Sequence, residues 1–376
     1  MRYYLIAGEA SGDLHGANLI KGLREEDPGS CFRAWGGDLM QEAGATVVKH
    51  YRELAFMGFV EVVRNLRTIH GNFKKCKEDI LNFQPDALIL IDYPGFNLRM
   101  ARWAKQHGIP VIYYIAPQIW AWHQSRIHQI KASVDQLFVI LPFEKDFYQT
   151  YDYPVAFTGH PLLDVVDAYW QKSPVPPVLS PDPRPVIALL PGSRRQEIAA
   201  LLPLYLRVLP DFPDYQFVLA GAPAIPDAFY QSFLDRAPIQ PRLVRNQTYD
   251  LLSGAHAAMV ASGTATLETA LFRVPQIVCY KGNPISYLIA RAVIKVPFIS
   301  LVNLILQKPL VPELIQHHCT VESIRASLSS LLTGPRRTQM LSGYSELRHL
   351  LGEPGAALRA SREIGAFLRQ KGATKP

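Results

Sequence analysis

The sequence has 376 residues, of which 48% are hydrophobic and 19% are charged, and its formal net charge is +7. This length predicts two domains that each bury a core, and this composition excludes an intrinsically disordered chain. The charge is moderate and no Lys/Arg-rich block accompanies it, so a nucleic-acid partner is not expected, whereas an anionic membrane surface or a phosphorylated substrate fits it equally well.

Eight short apolar runs recur along the chain, and each is followed by a turn and a segment long enough for a helix. Because these runs are continuously apolar and do not alternate with polar residues, they indicate parallel strands covered on both faces, hence an α/β fold of β/α units. In chain order they are YYLIAG (3–8), DALILID (86–92), PVIYYIA (110–116), QLFVIL (136–141), VIALLPG (186–192), YQFVLAG (215–221), AAMVAS (257–262) and PQIVCY (275–280).

A proline-rich segment separates the two groups of runs. Residues 173–185 hold six prolines in thirteen positions, which is incompatible with a helix interior or a central strand. We expect an N-terminal doubly wound domain over 1–172, this linker, and a C-terminal doubly wound domain over 186–345. Helices are expected over 346–376, and packing of these helices against the first domain is one prediction for them. Ligands of such folds bind beyond the carboxyl ends of the strands, so two facing sheets imply a cleft with one substrate on each side.

The first strand runs into an acidic turn, GEASGDLHG. Its glycines fall at positions 8, 12 and 16, which does not match the G-x-G-x-x-G pattern that a NAD-dependent dehydrogenase would need. Residues of this turn are candidates for hydrogen bonds to sugar hydroxyls at the cleft, namely Glu9, Ser11, Gly12 and Asp13. His15 and, further along, His160 are better explained as structural histidines.

Two later turns of the first half also carry candidates. Asp92 ends the second run and precedes Tyr93-Pro94-Gly95, where an aspartate serves either as a general base or as a cap of the turn. The next run leads to a loop that contains Gln118 and Trp120, and its aromatic residues suit either a sugar or acyl ligand or a packed core.

The second half offers two candidate nucleotide loops. Gly192, Ser193 and Arg194 follow a strand, and they fit either a phosphate site at a helix start or an ordinary capped helix with a solvated arginine. The second loop supplies small donors and an acid suited to a ribose, or else a Ser/Thr-rich cap with a solvated glutamate; its residues are Ser262, Gly263, Thr264, Thr266 and Glu268. Together the loops favour a nucleotide diphosphate, and the absence of G-x-x-x-x-G-K-[ST] argues against ATP hydrolysis.

The cysteines, the longest apolar stretches and one His-His-Cys sequence bear on location and metal binding. Cys31, Cys76, Cys279 and Cys319 are scattered, which predicts buried thiols in a reducing cytosol, and neither a signal-peptide core nor a bilayer-spanning run is expected. Two stretches, 53–77 and 285–306, combine apolar and basic residues. The first fits either a membrane-surface contact or a core helix, and the second fits a membrane-surface contact, a dimer surface or a core segment. The spacing of His317-His318-Cys319 does not predict a metal site.

Blocks of sequence in order from residue 7 to about 316 resemble the lipid A disaccharide synthase family. They are AGEASGDLHGA, MGFVEV, IDYPGFN, APQIWAWHQSR, LPFEK, TGHPL, LLPGSRRQEI, SGTATLE and SLVNLILQKPLVPELIQ. The resemblance implies the GT-B architecture of two Rossmann-like halves. It also implies inverting transfer of 2,3-diacylglucosamine from its UDP-linked form to the 6-hydroxyl of 2,3-diacylglucosamine 1-phosphate, without a metal or other cofactor, at the cytoplasmic surface of an inner membrane.

The same resemblance assigns roles to individual residues. Asp92 matches the essential acid of the family's I-D-x-P-x-F-N motif, and Gly95 stands where many relatives have a second aspartate. Arg194 matches the arginine of P-G-S-R, Asn303 the asparagine of S-L-x-N-L, and Glu268 the ribose-binding acid. Asp92 would then deprotonate the acceptor hydroxyl, while Arg194 and the helix amides would stabilise the departing UDP.

Two other classes remain as alternatives. A UDP-N-acetylglucosamine 2-epimerase-like enzyme of the same architecture would share the UDP side and would turn over a soluble nucleotide sugar without an acceptor. A non-catalytic lipid-binding protein would tolerate loss of Asp92 and Arg194. A homodimer is possible on sequence grounds, and nothing in the sequence decides it.

Overall fold

The computed structural model describes residues 1–54, 66–177, 182–283, 287 and 296–373, and it divides the chain into two compact units. Unit 1 comprises residues 1–161 and 353–376, and unit 2 comprises residues 162–352. Each unit is an α/β body built on one parallel sheet.

The strands are numbered in chain order. Those of unit 1 are β1 (Arg2–Ala7), β2 (Cys31–Gly36), β3 (Thr46–His50), β4 (Ala87–Ile91), β5 (Val111–Tyr114), β6 (Gln136–Val139) and β7 (Ala156–Phe157). Those of unit 2 are β8 (Val186–Leu190), β9 (Gln216–Gly221), β10 (Arg242–Arg245), β11 (Ala255–Ala261), β12 (Gln276–Tyr280) and β13 (Glu313–Ile315).

Helices follow most strands. In unit 1 they span Ala10–Glu26, Asp38–Glu42, Leu66–Phe83, Pro94–Gln106, Ile127–Ser133, Phe143–Gln149 and Ala356–Ala373. The helix Pro161–Lys172 leads into unit 2, whose other helices span Arg195–Val208, Asp227–Leu234, Thr248–Gly254, Thr264–Leu271, Leu301–Leu306, Val321–Leu332 and Pro335–Leu350. Short 3₁₀ turns lie at Tyr51–Glu53, Gln124–Arg126, Leu209–Asp211 and Gln316–His318.

Both sheets are doubly wound. Within the described residues the strand order is β3-β2-β1-β4-β5-β6-β7 in unit 1 and β10-β9-β8-β11-β12-β13 in unit 2, and the paired strands are parallel. The chain therefore reverses its direction of travel across the sheet between β1 and β4, and again between β8 and β11. Ligands of open α/β sheets bind beyond the carboxyl ends of the strands at such switch points.

The predicted fold class is confirmed, because each of the eight apolar runs contains or overlaps a strand of the described structure. The unpredicted strands β2, β3, β7, β10 and β13 lie at the edges of the sheets or next to an edge. Their sequences, such as TVVKH and RLVR, mix polar with apolar residues because an edge strand has a face or a side that contacts water.

Strand β1 shows why a continuous apolar run marks a central strand. Tyr3 and Leu5 pack in one core with the C-terminal helix, which contributes Ile364, whereas Tyr4 and Ile6 pack in the core on the opposite face. All four strand residues are at most 1% exposed. Full burial of each such side chain contributes about 1.5 to 3 kcal/mol, so both faces of the sheet demand apolar residues.

The C-terminal helix Ala356–Ala373 packs in unit 1. Ser361 Oγ donates a hydrogen bond to the carbonyl of Leu19 at 3.3 Å, and a Cβ on Gly22 would lie 2.5 Å from that hydroxyl. Arg362 also bonds Glu26 at 3.1 Å. The glycine thus permits the two helices to approach closely. The bonds of Ser361 and Arg362 then hold the end of the chain against the first helix of unit 1.

The division of the chain differs from the expected boundaries. The chain passes between units at 161/162 and at 352/353, not at a linker over 173–185 and at 345/346. The helix before the proline-rich segment packs in unit 2, where the Tyr169 hydroxyl donates to Asp250 at 2.9 Å and the Tyr169 ring stacks edge-on against Phe272. Proline content marks an irregular segment, and in this chain the partners of the preceding helix decide which unit it joins.

Candidate functional site

The carboxyl end of β4 carries two strained residues in succession. Asp92 and Tyr93 have φ values of 45° and 50°, a left-handed conformation that non-glycine residues rarely adopt. The Asp92 carbonyl accepts hydrogen bonds from Asn97 Nδ2 at 2.8 Å and from the Tyr113 hydroxyl at 2.6 Å. Fully buried Asn97 and Tyr113 therefore hold the backbone of this turn in place, and they leave the Asp92 carboxylate to point elsewhere.

The Asp92 side chain is half-buried and is a stronger base than an ordinary aspartate. Its pKa is raised to about 6, chiefly by burial and also by the negative charge of Glu9, while a hydrogen bond from the backbone N–H of Tyr93 opposes both effects. A carboxylate with this pKa is mostly ionised at neutral pH and accepts a proton more readily than an exposed aspartate does. Of the two interpretations made from the sequence, this geometry favours a base, because Asn97 and Tyr113 hold the turn.

The turn after β1 lies beside Asp92. A Cβ on Gly8 would lie 2.4 Å from the Tyr93 ring, so only glycine lets the two turns approach this closely. Glu9 and Ser11 are exposed, and buried Gly12 packs against the end of its own strand. The structure thus brings Glu9 and Asp92 together at the switch point of unit 1.

Asp13 is not available to a ligand, contrary to the expectation. It is 2% exposed, and its carboxylate accepts hydrogen bonds from the backbone N–H groups of Gly37 at 2.7 Å, Leu39 at 3.1 Å and Met40 at 3.1 Å. These are the free donors at the start of the helix Asp38–Glu42, which has no capping side chain of its own. Asp13 therefore caps a helix from a distance.

Trp120 is a second correction. It is 7% exposed, and its indole N–H donates to the carboxylate of Glu144 at 3.0 Å. The other oxygen of Glu144 accepts from the backbone of Ile140 and Leu141. Burial outweighs the lowering effect of these three hydrogen bonds, and the resulting pKa of Glu144 is raised to about 7. Trp120 and Glu144 anchor the loop after β5 from below, so Trp120 is a packing residue.

The outer side of that loop is accessible. Gln118 is exposed, and Trp122 is 46% exposed. His160 is buried and His15 is half-buried, and burial lowers their pKa values to about 3 and about 4, so both are uncharged at neutral pH.

The loop after β8 has the features of an anion site. Gly192 has a φ of 116°, and a Cβ there would lie 2.5 Å from a carboxylate oxygen of Glu197. That oxygen accepts from the backbone N–H groups of Ser193 at 3.1 Å and Arg194 at 3.3 Å, and the other oxygen contacts the Arg194 guanidinium at 3.3 Å. The helix begins at Arg195, so Ser193 lies before the cap position and does not cap it. A carboxylate already sits on the donors that an anion would use.

The loop after β11 divides into exposed and internal residues. Gly263 and Thr264 are exposed. Thr266 is fully buried, and its hydroxyl donates to the Gly263 carbonyl at 2.8 Å, while the Ser262 hydroxyl donates to the Ile299 carbonyl at 3.2 Å. Thr266 is therefore not available to a nucleotide, and Ser262 links this loop to the segment before the helix Leu301–Leu306.

Glu268 sits one turn into the helix that follows. One of its oxygens accepts from the Tyr249 hydroxyl at 2.8 Å. Burial raises the pKa of Glu268, and the Tyr249 hydroxyl opposes this by bonding the charged form. The tyrosine fixes the carboxylate and leaves its second oxygen as an acceptor for a hydroxyl group of a ligand.

Asn303 is also internal, which corrects the assignment of its side chain to the nucleotide sugar. It is 1% exposed, and its side chain exchanges two hydrogen bonds of 2.9 Å with the backbone of Val311 and donates a third to Glu313. Glu313 in turn accepts from the backbone of Ile299 and Ser300. Asn303 and Glu313 thus position the backbone segment that receives the Ser262 hydrogen bond.

A metal site is not formed by the described residues, among which no group of three His, Cys, Asp or Glu side chains is placed to hold an ion. Cys76, Cys279 and Cys319 are buried thiols as expected, whereas Cys31 is exposed at the start of β2.

Comparison with known proteins decides the family. The model of the lipid-A-disaccharide synthetase family matches residues 3–360. The lipid-A-disaccharide synthase of Syntrophus aciditrophicus is 43% identical over 364 residues, which covers 95% of each chain. The chain belongs to the lipid-A-disaccharide synthase family. It is accordingly a glycosyltransferase that forms the lipid A disaccharide, acting on sugar-nucleotide and lipid-sugar substrates.

Solved structures share the fold of this synthase at low identity. UDP-GlcNAc 2-epimerase from Neisseria meningitidis bound to UDP-GlcNAc has a TM-score of 0.66 at 14% identity, covering 97% of this chain and 99% of that chain. The calicheamicin glycosyltransferase CalG4 has a TM-score of 0.62 at 18% identity, covering 98% and 99%. The likeness confirms the GT-B fold, and the family match favours glycosyl transfer over the epimerase alternative.

Sequence reasoning missed three acids that organise the synthase's loops. Glu144, Glu197 and Glu313 each accept two backbone N–H groups near a strand end. Only Glu197 gave a recognisable signal, because it stands three residues after Arg194 at a helix start, the spacing of a capping box.

Proposed function

We propose that this synthase transfers 2,3-diacylglucosamine from UDP-2,3-diacylglucosamine to the 6-hydroxyl of 2,3-diacylglucosamine 1-phosphate, with inversion to a β-1,6 linkage and release of UDP. The observation that carries the proposal is the Asp92 carboxylate, which stands at the switch point of unit 1 with a pKa raised to about 6 and its backbone held by Asn97 and Tyr113. Glu9 beside it adds a second acceptor for sugar hydroxyls.

Asp92 acts as the general base in this proposal. Inversion requires the acceptor hydroxyl to attack C1 from the face opposite UDP, and the hydroxyl proton leaves as the bond to C1 forms. With a pKa of about 6, Asp92 is roughly 90% ionised at pH 7. It therefore combines a useful fraction of the active form with more proton affinity than an exposed carboxylate.

Unit 2 supports binding of the UDP group. Helix N-termini bind phosphates because their backbone N–H groups have no intrahelical acceptor. The helix after Gly192 begins at Arg195 with Arg194 at its cap position, and both arginines are exposed. Arg194 would stabilise the negative charge that develops on the β-phosphate, which is the role of a metal ion in other transferases. The second oxygen of Glu268 would accept a ribose hydroxyl, with Gly263 and Thr264 supplying the accessible part of the loop.

We further propose that the enzyme works at the cytoplasmic surface of the inner membrane, since both substrates carry acyl chains. In the described part of the chain no helix has the length and apolarity to cross a membrane. Residues 55–65 and most of 285–295, which dominate the two candidate surface segments, lie outside the described residues. The helix Leu66–Phe83 exposes Lys74 and Lys75, which suit anionic headgroups. Whether the enzyme acts as a homodimer stays a prediction.

The test is direct transfer by the purified protein. Incubation with UDP-2,3-diacylglucosamine and the acceptor phosphate, in the presence of a chelator, should yield UDP and a disaccharide 1-phosphate detected by mass spectrometry. Arg194→Ala should weaken UDP binding in calorimetry, whereas Arg273→Ala, an exposed arginine elsewhere in unit 2, should not. Failure to form disaccharide, or loss of activity with the chelator, would contradict the proposal.

A further inference from the structure

The loop between β5 and the helix Ile127–Ser133 has an anchored side and an accessible side. Trp120 faces inward on Glu144, whereas Trp122 is 46% exposed. The Arg126 guanidinium lies over the Trp122 ring, 5.8 Å from its centroid, and the His123 ring packs on the same tryptophan at 4.3 Å. Buried Trp120 thus fixes the loop, and the loop carries Arg126 in contact with the ring of exposed Trp122.

Among the residues that the structure describes, the Arg126 guanidinium is not paired with an acid. Over the described ranges, no carboxylate lies within 4.0 Å of it, in contrast to Arg33, which binds Asp79 through two nitrogens at 2.6 and 2.8 Å. Contact with the face of a tryptophan reduces the number of conformations of an arginine while its N–H donors stay available to a ligand. This combination is typical of an arginine prepared for a ligand with a planar or tetrahedral set of oxygens.

Arg126 also lies at the same edge of the sheet as Asp92. The Tyr113 hydroxyl, at the end of β5, donates to the Asp92 carbonyl at 2.6 Å. Burial raises the pKa of Tyr113 well above 10, the charge of Asp92 raises it further, and the charge of Arg126 lowers it. Strands β4 and β5 are parallel neighbours, so the turn that carries Asp92 and the loop that leads to Arg126 leave the sheet at the same end, in agreement with these effects on Tyr113.

We propose that Arg126, seated on Trp122, binds the phosphate of the acceptor sugar and thereby selects a phosphorylated acceptor. The inference rests on the proposed function, in which the acceptor is a hexosamine carrying an anomeric phosphate. Glu9 and Asp92 are anionic and repel a phosphate, so the acceptor needs a cation elsewhere at this end of the sheet. The forked guanidinium matches a phosphate through two parallel hydrogen bonds.

The experiment compares two acceptors that differ only in the anomeric phosphate. Arg126→Ala should raise KM for the phosphorylated acceptor about 10- to 100-fold, the size expected for loss of a charge-assisted hydrogen-bond pair. KM for the acceptor without phosphate and for the donor should stay unchanged. Arg126→Lys should keep part of the preference for the phosphorylated acceptor. The control variant Arg2→Ala removes an arginine that lies over Phe83 at the opposite end of the strands, and it should retain the full preference.

The outcomes separate the two proposals. If wild type forms the disaccharide and Arg126→Ala keeps its preference for the phosphorylated acceptor, or loses both acceptors equally while calorimetric UDP binding stays normal, the assignment of Arg126 is overturned. If Arg126→Ala does not fold, an unchanged preference in Arg126→Lys and Arg126→Gln overturns it as well. If wild type transfers to neither acceptor, the proposed function itself fails.

Discussion

The buried pair of Trp120 and Glu144 yields a quantitative prediction for Glu144→Gln. Burial raises the pKa of Glu144 from about 4.5 to about 7, so the native state binds the proton more tightly than the unfolded state does. Stability contributed by this group is therefore present below pH 4.5 and is lost as the pH rises to 7. Each pKa unit corresponds to about 1.36 kcal/mol, which gives roughly 2 to 3 kcal/mol lost between pH 5 and pH 8.

Glutamine does not titrate, so Glu144→Gln lacks this pH-dependent loss. Between pH 5 and pH 8 the free energy of unfolding of the wild type should therefore fall by roughly 2 to 3 kcal/mol relative to that of the variant. Urea unfolding followed by tryptophan fluorescence is a suitable assay, since Trp170 alone of the five tryptophans belongs to unit 2. Glu78→Gln, at an exposed site of unit 1, should show no such change. A difference that stays flat between pH 5 and pH 8 refutes the reasoning.

Two further predictions concern unit 2. Asn303→Ala removes the hydrogen bonds to Val311 and Glu313, so it should lower the free energy of unfolding by about 2 to 4 kcal/mol. The affinity for UDP, measured by calorimetry well below the melting temperature, should change less than about threefold. A large loss of affinity at unchanged stability would show that Asn303 contacts UDP instead. Glu197→Gln removes a negative charge from the anion site and keeps an acceptor oxygen, so UDP should bind about fivefold more tightly. Weaker binding would show that the charge of Glu197 holds the loop in its active form.

The central strands were predictable because burial on both faces leaves an unbroken apolar run. Candidate positions after the strands were predictable as well, because the carboxyl ends of parallel strands all lie at one end of the sheet. Asp92, Gly192 and Glu268 all lie where this rule puts them. The edge strands carried too little apolar sequence to be recognised.

What the sequence could not show is the direction in which a polar side chain points. Thr266 turns inward to the Gly263 carbonyl of its own motif. Asp13 and Asn303 also belong to the same motifs as accessible residues, yet the structure uses them to satisfy buried backbone groups. Their partners come from segments up to 27 residues away in the chain, as for Asp13 and Met40. Spacing within a motif contains no information about such partners.

The most direct test of the account is the pH dependence of kcat/KM for wild type and Asp92→Asn. Wild-type activity should fall as the pH drops through about 6, because Asp92 acts only when it is ionised. Asp92→Asn should lower kcat/KM by about 10²- to 10⁴-fold and lose this dependence, while Asp86→Asn, at the other end of β4, should retain both. Full turnover by Asp92→Asn with the wild-type pH profile would contradict the assignment of the base.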